Sequence, residues 1–264
     1  MKRRQFLAAS AALSAAPLST LIAQTSTKDN KNQEFIELVK YRLHVGDKKN
    51  RVSDFYKNVA IPAMNRNGIE RVGVFNVFYG PNDPTLFVLI PHKSIDSVLT
   101  LQSKLLNDNE YLKAGADFLN APLSDSAFVR MESSLLLAFS HMPKVEAPVS
   151  LLENKSRIYE MRTYESHSRK YGKKKIEMFN EGGEIDIFRK TGLQPVFFGE
   201  TIIGPLMPNL TYMLAFDSIE SRYKQWDVFR KDPAWLKLRQ DSQYKDTVSN
   251  ITDIILRPQS YSQI

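Results

Sequence analysis

The chain has no cysteine. That absence excludes disulfides, iron–sulfur clusters, thiolate zinc sites and cysteine nucleophiles together. Histidine is scarce as well. Only four occur, and none stands in an HxH or HExxH spacing that would make a metal site. No glycine-rich phosphate loop, nucleophile elbow or Ser-His-Asp arrangement can be placed; "NEGGE" at 180–184 has neither the lysine nor the strand-to-helix context of a P-loop. Charge of one sign is also in short supply. The formal net charge is +7, but Lys2, Arg3 and Arg4 supply three of the 36 basic residues, and without them 33 stand against 29 acidic ones. The basic residues are scattered, which argues against a nucleic-acid partner. The densest run, "RKYGKKK" at 169–175, reads as the solvated start of a helix.

What remains is a globular composition, 42% hydrophobic and 25% charged over 264 residues, enough for one large domain or two ordinary ones held together by burial alone. The first 24 residues are of another kind. "MKRRQFLAASAALSAAPLSTLIAQ" has a basic start and an apolar stretch from Phe6 to Ala16. That stretch is about half the ~20 residues that span a bilayer, so it predicts a signal peptide removed near Ala23, with no membrane insertion afterwards. The arginine pair of "RRQFL" resembles the twin-arginine export signal, which implies a periplasmic or otherwise extracytoplasmic protein.

The mature part says one thing twice. "YGPNDPTLFVLI" at 79–90 and "IGPLMPNLTYML" at 203–214 share a Gly-Pro and a second proline three residues on, at an offset of 124. Gly68 maps to Gly192 and Asp108 to Asp232 at that offset, while Glu37, Tyr41 and His44 map to Glu160, Tyr164 and His167 at 123. This is a two-fold internal repeat. In the second copy the patterns predict strands at 157–164, 194–203, 209–216 and 247–258 and helices at 168–190 and 218–241. Gly182-Gly183 interrupts the first helix; Asp232-Pro233 splits the second, with Asp as cap and Pro at the first helical position. Each copy therefore reads β-α-β-β-α-β, the ferredoxin-like order. The Gly-Pro between the middle strands reads as a turn requirement, not a ligand loop. The expected organisation is α+β: a first domain at 35–140, a proline-marked linker at 141–156 and a second domain at 157–258. A lone sheet of this kind leaves one face bare, so the two copies are expected to cover each other as a pseudo-symmetric barrel within one chain.

The phrases "YEMRTYES", "GLQPVFFGETIIGP" and "LTYMLAFDSIESRYKQWDVFRKDPAWLKL" resemble the NIPSNAP domain of the dimeric α/β-barrel superfamily, closely over 157–258 and more loosely over 35–140. The first copy departs from the pattern. It has "IELVKY" for "YEMRTY" and "DNEYLKA" for "DPAWLKL", so the Arg and the Trp are missing there. The resemblance implies the barrel fold and names no reaction. Relatives in the superfamily include haem-degrading and cofactor-free monooxygenases, and a homo-oligomer is compatible with it.

Candidate site residues come from strand alternation. Tyr159, Met161 and Thr163 share one face of the first strand of copy two; Glu160, Arg162 and Tyr164 share the other. The helices are expected to take the Tyr159/Met161 face, leaving Glu160, Arg162 and Tyr164 in the cleft between the sheets. There they are either a site, with Arg162 holding an anion, Glu160 as acid or base and Tyr164 as donor, or a network stitching the sheets. In copy one Glu37 and Tyr41 would face the cleft, with Glu37 seeking Arg162 across the pseudo-dyad. Glu200 is a carboxylate in an apolar strand whose face the alternation leaves open. His44 and His167 are weak metal or haem candidates, otherwise solvated strand-end histidines, and His92 and His141 read as loop residues. Trp226 reads as amphipathic packing and Trp235 as a core anchor. The residues themselves call for no cofactor. Three functions stay open: a binder of a small apolar or anionic molecule in the cleft, a cofactor-free or haem-linked monooxygenase or isomerase, and a protein-interaction module.

Overall fold

The computed structural model describes residues 32–79 and 84–264, apart from the side chains of Asp47 and Lys49. The expected leader at 1–24 and the first Gly-Pro turn at 80–83 lie outside the described residues.

The first copy runs β1 (Phe35–Arg42), α1 (Arg51–Phe55), a π-helical turn (Tyr56–Ala60), α2 (Ile61–Arg66), β2 (Gly73–Tyr79), β3 (Thr85–His92), α3 (Ile95–Leu106), α4 (Asn109–Ala114), α5 (Ala116–Leu119) and β4 (Arg130–Ala138). The second runs β5 (Ile158–Glu165), α6 (Arg169–Phe179), α7 (Glu184–Lys190), β6 (Gln194–Ile203), β7 (Asn209–Phe216), α8 (Ile219–Lys231), α9 (Pro233–Leu238) and β8 (Asn250–Pro258). The predicted break at Gly182-Gly183 is the α6/α7 boundary, where Gly183 adopts φ 81°, a left-handed conformation that suits glycine. Asp232 caps α9 as expected, accepting from the backbone N–H groups of Ala234 and Trp235. Ser218 caps α8 in a reciprocal box with Ser221.

The strands of the described residues close into one antiparallel barrel in the order β1-β3-β2-β8-β5-β7-β6-β4. Each copy supplies a four-stranded sheet, and the seams are β2–β8 and β4–β6. The sheets thus join edge to edge as well as facing each other, which leaves no strand edge unpaired. The central strands β3 and β7 are buried along their whole length. Helices cover one side of them and the barrel interior lies on the other, so both faces are apolar over residues 86–90 and 212–216.

The interior has two ends of different chemistry. At the base, Ile36, Phe75, Leu89, Tyr159, Phe197 and Leu256 pack together. The segment between the copies does more than link: its Val145 and Leu151, with Ile264, are buried in the same cluster and plug this end. Glu34 holds the plug in place, accepting from the Val145 N–H at 2.8 Å and from Arg71 at 2.9 Å. The opposite end is open and polar, and Ser134, Thr163, Thr201, Asn209 and Thr211 reach into it.

Candidate functional site

The open end holds a cavity of about 180 Å³. Its floor is Leu38, Phe87, Leu136, Met161 and Ile254; Lys40, Glu132 and Thr252 stand above. These residues alternate along their strands, so a single inward face of each strand builds floor and rim in turn. Thr163 and Thr211 share a hydrogen bond at 2.9 Å, and Thr201 donates to Asn209 at 2.6 Å. The Lys40 ammonium lies 3.6 Å from Glu132. One step further out on the same faces, Arg42 and Arg130 stand directly opposite each other across β1 and β4. Neither guanidinium has a side-chain partner among the described residues, and like charges placed so repel. The β6–β7 connection also contributes, since Pro205 and Leu206 line the cavity. The Gly-Pro phrase is therefore a turn and a wall of the pocket at once.

The residues singled out from alternation are elsewhere. Glu160 and Arg162 face outward under α8, Tyr164 faces outward against Phe179 of α6, and Tyr159, Met161 and Thr163 face the barrel. The expected faces are reversed. The reason is electrostatic. The barrel base beside Tyr159 and Met161 is packed with apolar side chains, whereas α8 brings Arg222 and Trp226 down on long side chains to meet Glu160. Fully buried Glu160 accepts from Arg222 at 2.5 Å and from the Trp226 indole N–H at 2.6 Å. Arg162 reaches it only at 3.5 Å. Tyr164 shares a hydrogen bond with Tyr212 at 3.0 Å, and burial pushes its phenol up to about 12, so at neutral pH it is a neutral donor and no base. Asp253, opposite Arg162 in the ladder, lies 3.1 Å from Arg222; burial and the Glu160 carboxylate push it up to about 7.

Glu37 and Tyr41 are likewise on the outer face, not in the cleft. Glu37 does not reach for Arg162. Its carboxylate accepts from Ser133 at 2.8 Å and lies 3.6 Å from His92. Burial opposes its ionisation, but His92 and Ser133 outweigh that and hold it below the usual range. Tyr41 meets Tyr56 hydroxyl to hydroxyl at 3.1 Å. Glu200 faces outward too, paired with Lys173 at 2.6 Å. His92 is not in a loop. It ends β3, fully buried, with Ser97 on its Nδ1. His44 meets Ser126, and His167 packs on Tyr171. No group of three or more metal-binding side chains gathers among the described residues. Haem does not fit the cavity: no histidine lines it, and its volume is of the order of the ~150 Å³ that accommodates a benzene ring.

Sequence reading missed two participants. Lys175, inside the supposedly solvated basic run, is buried and pairs with buried Glu184 at 2.7 Å. Trp226 is a hydrogen-bond donor to the buried carboxylate as well as packing. Helical spacing of Arg222 and Trp226 on one face of α8 was the available signal.

A model of the NIPSNAP family matches residues 159–263. Among solved structures, a candidate monooxygenase from Lactobacillus acidophilus NCFM superposes with a TM-score of 0.57 at 9% identity, covering 86% of this chain and 94% of that one. A second candidate monooxygenase, from Fusobacterium nucleatum, gives 0.52 at 12% identity over 86% of this chain and 92% of its own. A NIPSNAP-like domain protein from Burkholderia xenovorans is 23% identical, over 41% of this chain and 90% of its own, with a TM-score of 0.36. The two monooxygenase candidates share the barrel fold with this chain and carry no reaction over to it. No curated protein matches the sequence.

Proposed function

We propose, from the chemistry of the barrel mouth, that this protein, whose residues 159–263 match the NIPSNAP family, binds a small apolar molecule bearing one anionic group. The observation that supports this is the gradient inside the mouth. Five apolar side chains floor the cavity, Lys40 stands above them, and Arg42 and Arg130, which have no side-chain partner among the described residues, stand above Lys40. An apolar body seated on Leu38, Leu136 and Ile254 places its charged end among these cations, where a carboxylate gains charge-assisted hydrogen bonds. The volume suits a single ring or a short branched chain. On this reading the chain is exported, as its leader implies, and meets its ligand outside the cytoplasm.

Ligand-observed NMR with benzoate, phenylacetate and isovalerate tests the proposal. We expect saturable binding of at least one acid, weakened tenfold or more in the double variant Arg42→Ala/Arg130→Ala. Thr252→Phe, which fills the cavity, should abolish it. If none of the acids binds, or if Thr252→Phe binds as the parent does, the reading fails.

A further inference from the structure

Outside the barrel, α8, α9 and the outer face of β5 enclose a second cavity of about 470 Å³. Its chemistry is unlike that of the mouth. Arg162 and Arg222 form its inner wall, Arg230 and Arg239 its rim, and Trp226 and Trp235 are among its aromatic sides. Arg222, Trp226 and Arg230 recur every fourth residue, so a single face of α8 presents all three.

The charges here are unevenly satisfied. Glu160 is taken by Arg222 and Trp226, and Glu184, which also lines the cavity, is taken by Lys175. Arg162 is left with one long contact of 3.5 Å to Glu160. A guanidinium carries five N–H donors, yet that of Arg162 makes no other hydrogen bond among the described residues, and its Nε is buried without a partner. At the rim, Arg230 comes no nearer to a carboxylate than 3.8 Å, from Asp227, and Arg239 has no side-chain partner among the described residues. The Arg162 guanidinium is held in place from below, 5.0 Å from the Trp226 ring centroid and 5.4 Å from that of Tyr164. A fixed, mostly buried cation with free donors facing a cavity is poised for an anion. The aromatic walls suit a flat apolar group beside that anion.

The first copy lacks the construction. Val39 stands where Arg162 does, and Tyr111 stands where Trp235 does. Glu37, the counterpart of Glu160, is met by Ser133 and His92 instead. The cavity is thus the property of one half of the pseudo-symmetric molecule.

We propose that this outer cavity is a second binding site, independent of the mouth, for a ligand that presents a carboxylate or phosphate beside a flat apolar group, with Arg162 and Arg239 as the anion contacts. The chain supplies its own reporter. Its two tryptophans, Trp226 and Trp235, both line this cavity, and none lines the mouth. Titration of the full chain with phenyl phosphate and, separately, with benzoate, followed by tryptophan fluorescence, tests the site and tells the two anion types apart. We expect a saturable change with at least one probe, weakened tenfold or more in Arg239→Ala and in Arg162→Gln, and kept in Arg42→Ala/Arg130→Ala. Arg239 is exposed, so its variant reports on binding even if Arg162→Gln disturbs the fold. The proposal is overturned if neither probe gives a saturable change, if Arg239→Ala responds as the parent does, or if the response disappears in the mouth variant.

Discussion

Asp253 stands where Arg222, Arg162 and the buried Glu160 meet. Two carboxylates compete for Arg222, and the outer one yields. Its pKa is raised from an ordinary 3.8 to about 7, by burial first and the Glu160 charge second. A carboxyl raised in the folded state contributes stability that is present below the unfolded pKa and is lost as pH rises through the folded one. We therefore expect the parent protein to lose stability relative to Asp253→Asn between about pH 4 and pH 7, as followed by urea midpoints across that range. A constant difference between the two over the range would contradict the assignment. Glu37 works the other way. Its lowered pKa stabilises at neutral pH, and that contribution fades only as pH falls through the folded value.

At the scale of elements, the helices of the second copy are set by local chemistry that can be tested without touching the core. Gly183 separates α6 from α7 at φ 81°, and a Cβ placed there would meet nothing within 4 Å. Any cost of Gly183→Ala is then backbone strain alone, about 1–2 kcal/mol for an L-residue held left-handed. Gly183→Asn should cost less, because asparagine tolerates that region better. Chemical denaturation of the two variants checks the ranking. The breaks at Gly183 and Asp232 were legible from sequence because one residue decides each. The side of β5 that the helices cover was not, because it depends on what α8 carries more than sixty positions along the chain, namely Arg222 and Trp226.

At the scale of the molecule, the seams make two sheets into one barrel. Gly199 on β6 faces Ala138 of β4 across one seam, and a Cβ on it would stand 2.9 Å from the Cβ of Leu136. That is closer than packed carbons approach, so Gly199→Ala must shift the seam. We expect a loss of about 1–3 kcal/mol, the usual cost of overpacking, measured by thermal or urea unfolding. A neutral substitution would mean that the two copies are not locked as tightly as the register implies. The plug at the base belongs to this scale as well. Val145 and Leu151 lie in a segment whose prolines read as a plain linker, and only closure of the barrel gives their side chains a core to enter.

The sequence by itself determined the repeat, the β-α-β-β-α-β order of each copy, the ends of β6 and β7, and the pairing of the copies as a barrel. Each follows from local propensity, turn chemistry, or the need to cover a bare sheet. Only the tertiary structure decided which face of each strand lines the interior. Hydrophobicity pointed to the Tyr159/Met161 face as the one the helices cover, but Tyr159 and Glu160 are both buried, so apolar character did not decide between the faces. The choice rested on where the countercharges for Glu160 came from, and Arg222 and Trp226 reach it only when α8 has packed. That reversal leaves Met161, Thr163 and Lys40 in the mouth and Arg162 in a separate outer cavity.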